Sequence, residues 1–150
     1  MSRSTVLRLC ALAAVVVVIT VVGGSAALAT TGSDASNGNI LVAASLVSSG
    51  ANPDVATAGD TVTETYSVTN LSSTDKDLAR IFVSSDLPAG PHIAVDHLMN
   101  LGPGKTQTWS RPVKISSTTP SGVYTLSIAS VTAGVINPSA TSATVTINNG

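Results

Sequence analysis

The sequence predicts an exported, all-β protein: a single antiparallel sandwich of seven short strands behind an N-terminal signal segment. Three observations lead there. A charge-free apolar run sits between a basic start and a cluster of small residues. Thr, Ser, Val and Ala dominate the rest of the chain, and the β-branched among them favour a pleated surface over a helix. Seven short apolar runs then alternate with turn signals at regular spacing, with no amphipathic helix and no internal repeat.

The signal comes first. Arg3 and Arg8 give the basic start, Leu9 to Val22 is uncharged and apolar, Gly23-Gly24-Ser25 breaks the run, and Ala27-Leu28-Ala29 offers small residues for cleavage. That order reads as a secretory signal peptide over residues 1–29, with a mature chain starting near Thr30. The rival reading is an uncleaved anchor. No charge occurs from Leu9 to Ala29, and about 20 apolar residues span a bilayer, with the arginines left on the cytoplasmic side. The glycine break favours cleavage, and both readings place the following domain outside the cytoplasm. Cleavage also removes Cys10, the only cysteine, so no disulfide is available. Leu7-Arg8-Leu9 lacks the small residues that precede a lipidated cysteine, which argues against a lipoprotein.

The mature part retains five basic against eight acidic residues, a formal charge of −3. It carries no basic stripe, which excludes nucleic acid and anionic lipid surfaces as expected partners. A membrane enters only if the N-terminal segment stays uncleaved. The length suits one domain whose core must hold by packing alone.

Residues 30–39 (TTGSDASNGN) are polar and aperiodic and read as a flexible linker; the sandwich is expected over 40–148. Ile40 to Val47 is the first strand, ended by Ser48 to Asp54. Ala58-Gly59-Asp60 turns into the second, Thr61 to Asn70. Leu78 to Ser85 is the third, stopped by Leu87-Pro88-Ala89-Gly90-Pro91, and a weaker fourth runs from Ile93 to Met99. Gly102-Pro103-Gly104 leads into the fifth, Lys105 to Ile115; Val123 to Val131 is the sixth and Thr141 to Ile147 the seventh.

Alternation assigns the faces. Val62, Tyr66 and Val68 share the core face of the second strand, and Trp109, Val113 and Ile115 that of the fifth. Tyr124, Leu126 and Ile128 line the sixth, and Ala143, Val145 and Ile147 the seventh. The third strand is ambiguous, since Ile81 and Val83 oppose Leu78 and Phe82. Trp109 is expected as the central plug. Glu64 and Arg111 break the pattern, because each shares parity with core residues. Burying either charge alone would be costly, so they are expected to pair or to lie near open ends. Pro112 suggests an edge position that turns Arg111 outward.

Candidates for chemistry are thin. His92, Asp96 and His97 cluster before the fifth strand, but alternation sends His97 to the face opposite His92 and Asp96, so a converging metal site is not expected. Asp75 and Asp77 flank Lys76 on a loop and read as a solvated turn rather than a calcium site. Asn70-Leu71-Ser72 matches a glycosylation sequon, a tripeptide that arises easily by chance and needs a host that glycosylates. No nucleophile motif, phosphate-binding glycine loop or pair of facing carboxylates appears, so no catalytic residue, metal or cofactor is expected.

Three segments carry a resemblance. Ala58 to Asn70 (AGDTVTETYSVTN) resembles the second strand of bacterial extracellular immunoglobulin-like modules. The relevant modules are cell-adhesion-related domains and those appended to secreted glycosidases. Leu101-Gly102-Pro103-Gly104-Lys105-Thr106 is similar to the approach to their fifth strand, and Pro120 to Leu126 (PSGVYTL) to the start of their sixth. The resemblance covers about 110 residues and implies a seven-stranded immunoglobulin-like sandwich. Gly59 and Gly104 then sit where the backbone turns sharply into a strand. Tyr124 would set its hydroxyl against a nearby backbone group as a tyrosine corner. Leu126 occupies the place of the cysteine found in disulfide-bearing members.

The resemblance implies a secreted, non-catalytic module that supports extracellular or cell-surface contacts. A second expectation is a structural subunit that self-associates through sheet edges, adding the 30–39 segment or first strand to a neighbour. A third is a carbohydrate-binding module, opposed by the shortage of aromatics. The partner is thus an unknown surface protein or polysaccharide, or a second copy. Asn148-Asn149-Gly150 follows the last strand directly, so retention at a surface is expected to be non-covalent.

Overall fold

The computed structural model describes residues 30–35, 39–74, 77–88, 95–132 and 139–150. Residues 1–29, expected as a signal or anchor, lie outside them. The described residues form nine strands: β1 (Thr30–Asp34), β2 (Ile40–Ser48), β3 (Val55–Ala56), β4 (Thr61–Asn70), β5 (Asp77–Ser85), β6 (Val95–Leu101), β7 (Thr106–Lys114), β8 (Gly122–Thr132) and β9 (Ser139–Ile147). Among them there is no helix. One sheet has the order β1-β2-β4-β7, with every neighbour antiparallel. The other has the order β3-β9-β8-β5-β6, antiparallel except that β3 runs parallel to β9.

The seven strands expected from alternation appear as β2 and β4–β9; β1 and β3 are additional. The expected linker begins instead as a strand, because Thr30–Asp34 pairs in register with Val42 to Leu46 of β2. Its Gly/Ser-rich composition hid this, since the pairing comes from β2 and not from local propensity. β3 has two residues, too few to show any period. It is held by hydrogen bonds from Thr146 N to Asp54 O (2.9 Å) and from Asn148 N to Ala56 O (2.8 Å).

The two sheets share one core. Leu46, Val62 and Val68 from the first meet Ile81, Leu126, Ile128, Val145 and Ile147 from the second, none more than 1% exposed. Full burial of each such side chain is worth about 1.5–3 kcal/mol. The ambiguity of β5 resolves by burial: Ile81 and Val83 enter the core, and Phe82 stays partly exposed on the outer face. Trp109 is not a central plug. Its strand β7 is the edge of its sheet, so one flank has no neighbouring strand and the ring is only half-buried.

Gly59 (φ 98°) and Gly104 (φ 65°) turn the chain into β4 and β7 in conformations that other residues resist. Each is the third residue of a turn closed by a backbone bond, Asp60 N to Thr57 O (3.0 Å) and Lys105 N to Gly102 O (3.2 Å). Pro103 before Gly104 pre-sets the turn. The Asp60 carboxylate tightens the first turn by accepting from Thr57 N (2.8 Å) and Thr57 Oγ1 (3.0 Å).

Candidate functional site

The inner face of the β4–β7 pair carries the charged and aromatic residues that the sequence set apart. Register places Glu64 opposite Arg111 and, one inward-facing step along, Tyr66 opposite Trp109. The Arg111 guanidinium donates to Glu64 Oε2 through Nε (3.1 Å) and through Nη2. The Glu64 side chain is 6% exposed and that of Arg111 37%. The carboxylate is thus buried, and its partner reaches water at the sheet edge. Pro112 lies on this edge strand opposite Thr63, yet Arg111 turns inward to Glu64 rather than outward.

The Tyr66 and Trp109 rings stack with centroids 5.0 Å apart and planes 19° apart. Burial raises the Tyr66 pKa above its ordinary value of 10.0; the Glu64 charge raises it further and Arg111 pulls it back. The phenol therefore stays neutral through the physiological range. This arrangement clamps two strands with a charge-assisted bond and an aromatic stack. Both Arg111 donors converge on the same carboxylate oxygen, Glu64 Oε2.

On β8, Tyr124 Oη donates to Pro120 O (2.9 Å), and Leu126, two residues on, is fully buried. These residues and Gly59 and Gly104 stand apart from the Glu64–Arg111 row. Asn70 of the sequon is fully buried, its Nδ2 donates to Leu101 O (2.9 Å), and its Oδ1 accepts from Ser72 N (2.9 Å). An amide so engaged cannot carry a glycan in the folded protein. His92 and Asp75 lie outside the described residues. Asp96 and His97 fall within β6 and Asp77 within β5. Among the described residues no group of three or more His, Cys, Asp or Glu could hold a metal ion.

A second surface escaped the sequence reading. The outer face of the β5-β8-β9 layer holds a shallow depression of about 450 Å³. Register sets two rows across it, Ser84–Ser127–Ser142 and Phe82–Ala129–Ala140. The concavity follows from small outward residues on the two strands beside Phe82. Alternation gives those positions, but only the register aligns them into rows.

The sequence model of a protein family described as "NPCBM-associated, NEW3 domain of alpha-galactosidase" matches residues 56–133, from β3 through β8. No curated protein matches the chain. Among solved structures, a family 123 glycoside hydrolase from Clostridium perfringens, described for glycolipid glycan hydrolysis, is similar at 12% identity with a TM-score of 0.40. The similarity covers 66% of this chain and 24% of that enzyme.

Proposed function

The chain belongs to the NPCBM-associated NEW3 domain family, and from that premise we propose that it is an exported, non-catalytic accessory module with an immunoglobulin-like sandwich fold. The family match carries the reading, because the NEW3 domain accompanies alpha-galactosidase as an accessory domain. Three features of the fold support it. The chain contributes β2 to one sheet and β3 to the other before returning with β4, and the two sheets share one core. Tyr124 makes the backbone bond of a tyrosine corner. Glu64, the one buried carboxylate among the described residues, is engaged by Arg111, whereas glycoside hydrolysis uses two carboxylates flanking the scissile bond.

The module works by contact outside the cytoplasm, with a surface protein or polysaccharide as partner. The depression beside Phe82 favours a sugar chain, since three serine hydroxyls in a row beside an aromatic ring suit a neutral polyol. Two measurements test this. The exported product should begin near Thr30 by mass and release nothing from aryl α-galactosides. Retention on insoluble polysaccharide should fall when Phe82→Ala removes the ring. Turnover that disappears in Glu64→Gln would overturn the non-catalytic reading, and retention unchanged by Phe82→Ala would remove the sugar reading alone.

A further inference from the structure

The β2 edge is chemically unprotected, and the strand that covers it is weakly anchored. β2 (ILVAASLVS) contains no charge, proline or glycine, whereas the opposite edge strand of the same sheet, β7, carries Arg111, Pro112 and Lys114. Charges and proline are the usual guards against edge-to-edge pairing. β2 has β1 instead. Between residues 31 and 34 this strand brings no apolar side chain: Thr31 and Ser33 are exposed, Gly32 has none, and Asp34 is polar.

What fits β1 to its place is shape and polar contact. It closes the seam between β2 of one sheet and β9 of the other. A Cβ on Gly32 would lie 2.5 Å from Ser142 O and 2.3 Å from Thr141 Oγ1, so only glycine permits the approach. Two residues on, Asp34 Oδ2 accepts from Ala140 N (2.8 Å). Detaching residues 31–34 therefore breaks backbone pairing and polar contacts, this bond among them, but withdraws no residue of the hydrophobic core cluster. Segments of that kind open locally at the low end of a protein's stability range.

We propose that the β2–β9 seam is a strand-acceptor surface whose occupant exchanges, so that β1 of one copy enters the seam of a second. The exchange conserves every bond, because the incoming strand is identical, and it shields the same uncharged edge. It stands apart from the accessory-module reading and holds whether or not the module binds sugar.

The test uses the full chain, recovered after export, with Cys10→Ser so that introduced thiols are the only ones. Ser33 and Ala43 are register partners on β1 and β2, close enough across a strand pair for a disulfide. One preparation carries Ser33→Cys and another Ala43→Cys, and the two are mixed and oxidised. Strand exchange predicts a mixed disulfide about tenfold more abundant than either homodisulfide, because paired strands hold the thiols at high effective concentration. A mixed product no more abundant than the homodisulfides overturns the proposal. Adding Gly32→Val to the Ser33→Cys chain should bring the mixed product down to the homodisulfide level. An undiminished yield would show cross-linking elsewhere and also overturn it. Light scattering on Gly32→Val alone should show mass rising with concentration as uncovered β2 edges pair; a constant monomer mass contradicts the acceptor role.

Discussion

Replacing Arg111 with Met removes both donors to Glu64 Oε2 and leaves a carboxylate that is 6% exposed without its counter-charge. Hydrogen bonds to charged groups contribute about 1.5–3 kcal/mol, and the 37% exposure of Arg111 screens part of this pair. The expected loss is about 2 kcal/mol. Glu64→Leu should lose less, about 1 kcal/mol, because the stranded guanidinium still reaches water. The double variant Glu64→Leu/Arg111→Met puts two apolar side chains where the pair was and should return to within about 1 kcal/mol of the parent. The resulting coupling is about 2 kcal/mol. Urea unfolding followed by the fluorescence of Trp109, the single tryptophan, reads this directly, since the ring stacks on Tyr66 beside the pair. With a urea slope near 1.5 kcal/mol/M, the Arg111→Met midpoint should fall by roughly 1.3 M. Losses that simply add in the double variant, or an Arg111→Met loss below about 0.5 kcal/mol, would refute the clamp.

Other expectations follow from single contacts. Tyr124→Phe removes the bond to Pro120 O and should lower stability by about 1 kcal/mol in the same unfolding experiment. In that variant Tyr66 is the only tyrosine, and its absorbance near 295 nm should titrate above pH 10.0, raised by burial first and by Glu64 second. A folded pKa above the unfolded one means that the native state holds the proton more tightly. Tyr66 therefore contributes stability that is present below about pH 10 and lost as pH rises through the folded value; a midpoint at or below 10 contradicts the burial. Gly104→Ala has open space for its methyl but a φ of 65°, so it should lose about 1 kcal/mol from backbone strain alone; an unchanged urea midpoint would contradict that turn geometry.

Much of the fold was legible because it is written locally. Period-two alternation located β2 and β4–β9 to within about two residues in most cases, and Gly59 and Gly104 marked the turns that need positive φ. Alternation also put Glu64 and Arg111 on core faces. It did not decide between a pair and two open ends, because their meeting depends on β4 and β7 being neighbours across 47 residues of chain. Phe82 was undecidable for a different reason: β5 has apolar residues at both parities, and only packing against β8 and the opposite sheet selects Ile81 and Val83 for the core. The tripeptide at Asn70 carried no information on burial, which only the packed structure supplies.

The sequence by itself determined an all-β chain, its turn positions, the inward parity of each strongly patterned strand and, with Cys10 the single cysteine, the lack of any disulfide within the chain. These are set by dihedral preference and side-chain polarity within a few residues. Tertiary structure alone decided which strands became neighbours. It turned TTGSD from an apparent linker into the strand that seals β2, stacked Tyr66 on Trp109, and aligned small residues on β8 and β9 beside Phe82 into a depression. A strand's partner is fixed by chain-wide packing and backbone pairing over long sequence separations, and no local pattern encodes it.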